Sequence, residues 1–259
     1  MKKILLAAAL ILTMAAGQAS AFQLSGGYDQ PVTLVVNGLT TTAPTDSGVS
    51  TWGIFSISSI INSNSFDNQW NATTTDKLYG AIWGLSDIND SNVNNIQMTG
   101  GKFAIFETNA SVWNAIATSP LAINGDPQAA LIGLFGSSPV LTGVFAPDII
   151  AGTVPGTTMV AKSDSVYTPA TGNGLAYLDV TGTGTQNWMF ENSNKQKGGS
   201  DLYFQYVFNS LPEGSDWGAA IYPGSVSGTV VPEPGTMALL GFGMLGLAIF
   251  GKRRMNKEA

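Results

Sequence analysis

Short runs of β-branched and aromatic residues recur along the middle of the chain, separated by clusters of Gly, Asn, Ser and Pro. Runs of this kind, bounded by turn-forming residues, predict β-strands. In residues 201–208 large apolar side chains occupy every second position, and this period of two predicts one buried face formed by Leu202, Phe204, Tyr206 and Phe208. The predicted strands cover residues 32–36, 51–60, 78–85, 102–107, 140–145, 175–180, 201–208 and 226–230.

Helical patterns are few in this part of the chain. Residues 110–117 and 128–135 are compatible with short helices, and Asp126 and Pro127 supply an N-cap and a first helical proline for the second of them. Residues 131–135 fit a further strand equally well. Many short strands with few helices predict a mainly β body, an antiparallel β-sandwich or jelly-roll-like domain.

The beginning of the chain has the pattern of a secretory signal peptide. Two lysines precede the apolar residues 4–14, and Ala19 and Ala21 form an A-x-A cleavage site ahead of Phe22. We therefore expect residues 1–21 to be an N-terminal signal helix that is removed on export.

The end of the chain contains three segments of different chemistry. The first is the proline-rich stretch Val231, Pro232, Glu233 and Pro234, which is predicted to be extended because each proline fixes φ and lacks an N–H. Residues 235–251 carry no charge and are long enough for a short transmembrane helix, at ~1.5 Å per residue against a hydrocarbon core of ~30 Å. The third segment is a basic cluster expected at the cytoplasmic face, formed by Lys252, Arg253 and Arg254.

The sequence thus predicts five consecutive regions, and an apolar C-terminal helix packed in a core is the alternative for the fourth. They are a signal peptide (1–21), an extracellular β-sandwich domain (22–227), a linker with the Pro-Glu-Pro motif (228–234), a transmembrane sorting helix (235–251) and a basic cytoplasmic tail (252–259).

Pro-Glu-Pro, a short apolar helix and an Arg-rich end in this order resemble the PEP-CTERM sorting signal of exported proteins in Gram-negative bacteria. The resemblance implies that exosortase, a membrane-embedded cysteine transpeptidase, recognises the Pro232-Glu233-Pro234 tag. It also implies an export pathway, an inner-membrane-anchored precursor and a mature form at the cell surface or in the extracellular matrix. The body is loosely similar to those of PEP-CTERM proteins without an assigned activity, and it carries no known catalytic residue to transfer.

Composition limits the chemistry of the body. The sequence has no Cys and no His, which excludes ordinary zinc and copper sites, Cys–His nucleophiles and Ser–His–Asp triads. Fifteen of the 17 acidic residues but only five of the 11 basic residues lie in residues 22–230. A body of this sign repels phosphate backbones, so nucleic acid is excluded as a main partner.

We therefore expect no enzymatic activity. A carboxylate-based glycoside hydrolase that uses Glu107, Glu191 or Glu213 is the weakest hypothesis, since any set of so many carboxylates permits it. Threonine-rich stretches suggest ice binding, but they lack a regular repeat, so an ice-binding protein is equally disfavoured.

The densest cluster of acids and amides offers a candidate metal site. Asp87, Asn89 and Asp90 can supply oxygen ligands of the kind that Ca²⁺ prefers. Their spacing begins like an EF-hand loop but lacks its glycine and its terminal glutamate, and Asx residues also stabilise turns. The pattern favours a turn between strands, with a Ca²⁺ site as the alternative; no other cofactor is predicted.

The six tryptophans raise the hypothesis of glycan binding, because exposed aromatic faces stack on sugars. Trp52, Trp83 and Trp188 lie in apolar runs and are predicted to be core residues, whereas Trp70 and Trp217 lie among polar residues and are the candidates for stacking. The sequence as a whole predicts a structural or adhesive component of an exopolysaccharide matrix, with a calcium- or glycan-binding module as the alternative.

Overall fold

A computed structural model describes residue 24 and residues 30–40, 51–73, 76–88, 95–108, 138–163, 171–191, 193–211 and 219–231. All of them belong to one compact unit, Leu24–Val231. They form ten strands: β1 Gln30–Thr40, β2 Thr51–Asn62, β3 Asn68–Asn71, β4 Lys77–Asp87, β5 Asn95–Thr108, β6 Pro139–Phe145, β7 Thr157–Ser163, β8 Thr171–Val180, β9 Leu202–Ser210 and β10 Ala219–Val230. Two short 3₁₀ turns, Asn187–Met189 and Lys197–Gly199, lie between β8 and β9.

The ten strands form a single antiparallel sheet that closes on itself. β1 pairs with β10 on one side and with β2 on the other, which joins the two ends of the strand order. The closed ring is β1-β10-β9-β8-β6-β5-β4-β2, an eight-stranded barrel, and β3 extends from β2. The predicted mainly β, antiparallel fold is confirmed. The predicted sandwich is not confirmed, because the strands belong to one closed sheet instead of two facing layers.

Two strands share one position in the wall of this barrel. β6 pairs with residues 102–106 of β5, and β7 pairs with residues 95–99 of the same strand. On the other side, β8 pairs with both of them. β6 and β7 therefore form one interrupted strand, and residues 146–156 leave the wall between them as an inserted loop. Gly100 and Gly101, both at positive φ, lie in β5 beside the interruption.

Large side chains fill the barrel interior by lying over glycines of neighbouring strands. Phe55 and Gly80 are directly paired across β2 and β4, and a Cβ on Gly80 would collide with the ring of Phe55. Tyr206 lies over Gly174 of β8 in the same way. Further pairs of this kind are Phe103 over Gly143, Phe208 over Gly172, and Leu202 over Gly228. The inward face predicted for residues 201–208 is confirmed, although its last member, Phe208, is only half-buried.

A second apolar cluster lies on the opposite face of β2, β4 and β5. It comprises the buried residues Ile54, Tyr79, Ala81, Trp83, Ala104 and Phe106, with the partly buried Leu39, Trp52 and Leu211 packed against it. These strands are therefore buried on both faces, which explains their nearly continuous apolar sequences. The prediction of a core position is confirmed for Trp83 and holds in part for Trp52; Trp188 is half-buried.

Two strands and one boundary differ from the sequence prediction. β3 and β7 were not predicted, whereas each of the eight predicted runs lies within or overlaps an observed strand. Residues 228–230, which the sequence assigned both to the strand 226–230 and to the start of the linker, pair with β1 as part of β10. The linker prediction started too early because β10 is rich in glycine, as flexible spacers are. In the structure Gly228 has a packing role instead, since its missing side chain leaves room for Leu202. The two predicted helices lie outside the described residues.

Candidate functional site

The outer surface of the barrel contains a pocket of about 290 Å³. It lies between the inserted loop, the outer faces of β7 and β8, and the 3₁₀ turn Lys197–Gly199. We call it the β7–β8 pocket, and its described lining residues are Asn95, Ile150, Ala151, Gly152, Thr153, Val160, Lys162, Leu175, Tyr177 and Lys197.

The floor of the pocket is set by the register of β7 and β8. Val160 pairs with Leu175, one step along from the inward-facing pair Met159 and Ala176, so Val160 and Leu175 point outward. Val160 is buried and Leu175 is half-buried. The floor is therefore an apolar patch on the outside of the barrel.

Tyr177 extends this floor along β8. Its ring lies next to that of Tyr203 on β9, with centroids 5.0 Å apart and planes tilted by 32°. Burial, and then the neighbouring Tyr177, raise the pKa of Tyr203 above its ordinary value. The two tyrosines thus form an aromatic surface beside the apolar patch.

The inserted loop makes the first wall, and side-chain hydrogen bonds hold it against the barrel. The Gln97 side chain, on the outer face of β5, accepts hydrogen bonds from the Val154 amide (2.8 Å) and the Thr157 hydroxyl (3.2 Å). The Asp148 carboxylate accepts one from the Gly156 amide (2.6 Å) across the neck of the loop. Because Gln97 is itself buried, its bond to Thr157 is buried and its bond to Val154 is partly buried, and both are strengthened by the low local dielectric. The Asp148 bond is exposed. Together the three bonds fix the loop conformation.

The segment between β8 and β9 makes the second wall, and Asp201 organises it. The Asp201 carboxylate, buried at 5% exposure, accepts hydrogen bonds from the Val180 amide (3.0 Å), the Ser193 hydroxyl (3.3 Å) and the Asn194 amide (3.0 Å). A buried carboxylate is stabilised when donors surround it. Asp201 therefore ties residues 193–200 to the end of β8.

The 3₁₀ turn in this segment places Lys197 at the pocket. Gly198 has φ of +73°, and its Cα approaches the Ile149 side chain so closely that a Cβ would lie 2.7 Å from Ile149 Cγ1. The Ser200 hydroxyl donates to the Lys197 carbonyl at 3.0 Å and closes the turn. The two walls are thus in contact, and Lys197 lies at their junction.

The charge of the pocket is opposite to that of the body. Lys162 and Lys197 are exposed at its rim, and the described residues that line it include no carboxylate. Only five lysines and no arginines lie in residues 22–230, against fifteen acids. Two cations on one small pocket of an acidic surface create a local positive potential that attracts anions.

Asp179 and Asp201 form a pair of carboxylates at the end of β8. Burial, and then the negative charge of Asp201, raise the pKa of Asp179, while the backbone amide of Asp201 offsets part of the rise. Asp179 therefore keeps its proton to a higher pH in the folded state than in the unfolded chain. Above the unfolded pKa the unfolded chain loses this proton first, so stability falls as the pH rises through the folded pKa.

The Asp179→Asn variant should consequently be more stable than the wild type at neutral pH. We expect a small gain, below about 1 kcal/mol, because the half-exposed carboxylate is screened by solvent. The gain should disappear at about pH 3, where Asp179 is mostly protonated in both the folded and the unfolded state. Urea denaturation of both proteins across this pH range measures the difference; an equal difference at both ends would mean that the gain does not come from ionisation.

Glu107, one of the three weak candidates for hydrolase chemistry, lies in β5. Burial, followed by the negative charge of Asp76, raises the pKa of its carboxyl. Glu191 is exposed next to the turn Asn187–Met189, and Glu213 lies outside the described residues. The structure therefore does not show these three residues as one site.

The predicted calcium site falls largely outside the described residues. Asp87 is the last residue of β4 and is half-buried, whereas Asn89 and Asp90 are not described. In the parts of the chain that the structure describes, no three His, Cys, Asp or Glu side chains come together in a way that could hold a metal ion. The calcium hypothesis stays a prediction.

Of the two tryptophans predicted to stack on a glycan, only Trp70 is among the described residues. Trp70 lies in the short strand β3, where it pairs with Ile60 of β2 and is half-buried. Trp217 lies outside the described residues. The β7–β8 pocket was missed by the sequence analysis, and the scarcity of lysine in the body was the signal that could have indicated Lys162 and Lys197.

The body ends where the predicted sorting segment begins. The Val231 amide donates a hydrogen bond to the Met189 carbonyl at 2.8 Å. The remaining predicted sorting and cleavage residues lie outside the described residues: Pro232, Glu233, Pro234, Lys252, Arg253, Arg254, Ala19, Ala21 and Phe22. The described part of the chain contains no helix with the length and apolarity that a membrane span requires.

Comparison with known families identifies this C-terminal segment. Residues 230–254 match the PEP-CTERM protein-sorting motif, which confirms the resemblance noted from the Pro-Glu-Pro tag. The class of protein is therefore an exported one with a membrane-anchored precursor, and the motif supports processing by exosortase. No curated protein and no solved structure matches the chain.

Proposed function

We propose that the mature protein is a structural or adhesive component of an extracellular polysaccharide matrix at the surface of a Gram-negative bacterium. The observation that carries this proposal is the sorting motif at residues 230–254. A chain that exosortase releases at the outer face of the inner membrane is delivered outward. The proposed function is therefore exerted outside the cell, and it requires no catalytic step.

The closed sheet and the surface pocket of the body indicate how the protein would be held in the matrix. Closing a sheet removes the long unpaired edges through which β proteins associate into fibres, so strand addition is not the route to matrix assembly that this fold favours. The β7–β8 pocket instead provides a discrete place for a soluble ligand. Among the alternatives, this pocket favours a glycan-binding module over a calcium-binding one.

Processing can be tested by measuring the intact mass and the C-terminal peptides of the mature protein from hosts with and without exosortase. We expect the mature protein to lack residues 252–259 only in the host with the enzyme, because the basic cluster lies beyond the tag. The Glu233→Gln variant keeps both prolines and tests the role of the charge in the tag. Retention of Met255 and Ala259 in both hosts would contradict the assignment.

A second measurement tests the location of the mature protein. Cells are extracted with salt and then treated with a polysaccharide-degrading enzyme, and the protein is quantified in each fraction. A matrix component should resist salt and be released with the polysaccharide. Recovery of nearly all the mature protein in the culture medium before either treatment would overturn the matrix role while leaving the sorting assignment intact.

A further inference from the structure

We propose that the β7–β8 pocket binds a sugar unit that carries a carboxylate, such as a uronic acid residue of an acidic polysaccharide. This inference rests on the proposed function, since it names the chemical class of ligand through which the protein would be held in the matrix.

Two cations from separate elements converge on the pocket. Lys162 is in β7, and Lys197 is in the 3₁₀ turn before β9, yet both line the same 290 Å³ pocket. Asn95, which pairs with Lys162 across β5 and β7, adds an amide to the same rim. Ammonium groups form charge-assisted hydrogen bonds with carboxylates, which are stronger than bonds between neutral groups.

The pocket also has an apolar floor. Val160, Leu175 and the ring of Tyr177 lie beneath the lysines. A small inorganic anion would use only the cations and would leave this surface in contact with water. A sugar ring has one face of C–H groups that can cover an aromatic or aliphatic surface, while its carboxylate reaches the rim.

The size of the pocket agrees with a ligand of this kind. Its volume of about 290 Å³ lies just below the range of about 300–1,000 Å³ found for small-molecule sites. The pocket therefore suits a single sugar unit better than a long oligosaccharide, whose neighbouring units would extend over the outer surface of β8 and β9.

Both walls of the pocket are held in place before any ligand binds. Gln97 fixes the inserted loop, Asp201 fixes the segment that carries Lys197, and Gly198 packs against Ile149 where the two walls meet. Binding therefore does not have to order either wall, which reduces the entropic cost of association.

The test is calorimetric titration of the full mature chain with three oligosaccharides of equal length, one carboxylated, one sulfated and one neutral. We expect the carboxylated probe to bind, the sulfated probe to bind more weakly, and the neutral probe to show no measurable binding. Affinity for the carboxylated probe should fall as the salt concentration rises. Equal binding of the neutral probe, tighter binding of the sulfated one, or no binding of the carboxylated one at millimolar concentration overturns the proposal.

Variants locate the site. Lys162→Gln and Lys197→Gln should each weaken binding of the carboxylated probe about 3- to 10-fold, as expected for the loss of one exposed charge contact. Tyr177→Leu should weaken it by a similar factor while leaving the salt dependence unchanged. Lys102→Gln is the matched control, because Lys102 is another exposed lysine of the wall, paired with Val144 away from the pocket. If Lys102→Gln weakens binding as much as the pocket variants, diffuse charge is responsible and the proposal fails.

The two proposals can fail separately. If the double variant Lys162→Gln/Lys197→Gln is retained in the matrix to the same extent as the wild type, the pocket is not the point of attachment, but the matrix role stands. If the wild type is not retained while the carboxylated probe still binds through both lysines, the pocket is a binding site and the matrix role is wrong.

Discussion

Replacing Gly80 with alanine is expected to destabilise the barrel by about 2–3 kcal/mol, the cost of overpacking a filled core. A Cβ at this position would collide with the ring of Phe55, which extends over Gly80 from the paired strand β2. Both residues are in the middle of central strands, so backbone movement would disturb the pairing with β5 as well. Urea denaturation followed by tryptophan fluorescence and circular dichroism measures the loss of unfolding free energy.

A double-mutant cycle with Phe55→Leu serves as the control. Leucine is smaller than phenylalanine, so it should relieve the collision, and the double variant should be more stable than the sum of the single changes predicts. A coupling energy near zero would show that the cost of Gly80→Ala does not come from a collision with the ring of Phe55. A cost of less than about 0.5 kcal/mol for Gly80→Ala alone, within the range of ordinary surface substitutions, would contradict the packing argument directly.

The positions of most strands could be predicted because alternation is a local property of the sequence. Leu202, Phe204 and Tyr206 occupy every second position, and this alone places them on one face whatever the strand pairs with. The same logic failed for β7, since its residues 157–161 are buried on both faces and show no alternation. β3 has only four residues, too few for a period to be visible.

Closure of the sheet could not be predicted in the same way. It depends on pairing of β1 with both β10 and β2, and β10 lies at the other end of the body. The glycines of the barrel interior were the available signal. Gly172 and Gly174 continue the alternation of β8 toward its start, and a glycine inside a strand often marks the close approach of another group. Only the register shows that the rings of Phe208 and Tyr206 are the groups that approach.

The sorting motif and the β7–β8 pocket also differ in whether their residues are contiguous in the sequence. The sorting motif is contiguous, so its proline-rich tag, apolar segment and basic cluster could be recognised from the sequence without any knowledge of the fold. The β7–β8 pocket joins Lys162 and Lys197 through an interrupted strand, an inserted loop and a glycine turn. None of these three elements has a sequence pattern that indicates its partner, which is why the pocket required the structure.

Replacing Asp201 with alanine should cost about 3 kcal/mol or more, because the buried amide of Val180, the buried hydroxyl of Ser193 and the part-buried amide of Asn194 would lose their acceptor. The same change should release the segment that holds Lys197. Hydrogen exchange at Val180 and Asn194 should accelerate more than the global loss of stability predicts, and affinity for the carboxylated probe should fall. A cost below about 1 kcal/mol, typical of a neutral hydrogen bond, would mean that water replaces the carboxylate.

Asp201→Asn separates the charge of this residue from its hydrogen bonds. Asparagine keeps one acceptor oxygen but presents an amide group to one of the donors, so the loss of stability should lie between those of the wild type and the alanine variant. Removal of the negative charge should also lower the pKa of Asp179, because the charge of Asp201 is one of the causes that raise it. Burial, the larger cause, remains, so the pKa should stay above the ordinary value of an aspartate. Titration of Asp179 by NMR in both proteins measures this shift, and an unchanged pKa would show that the two carboxylates do not interact.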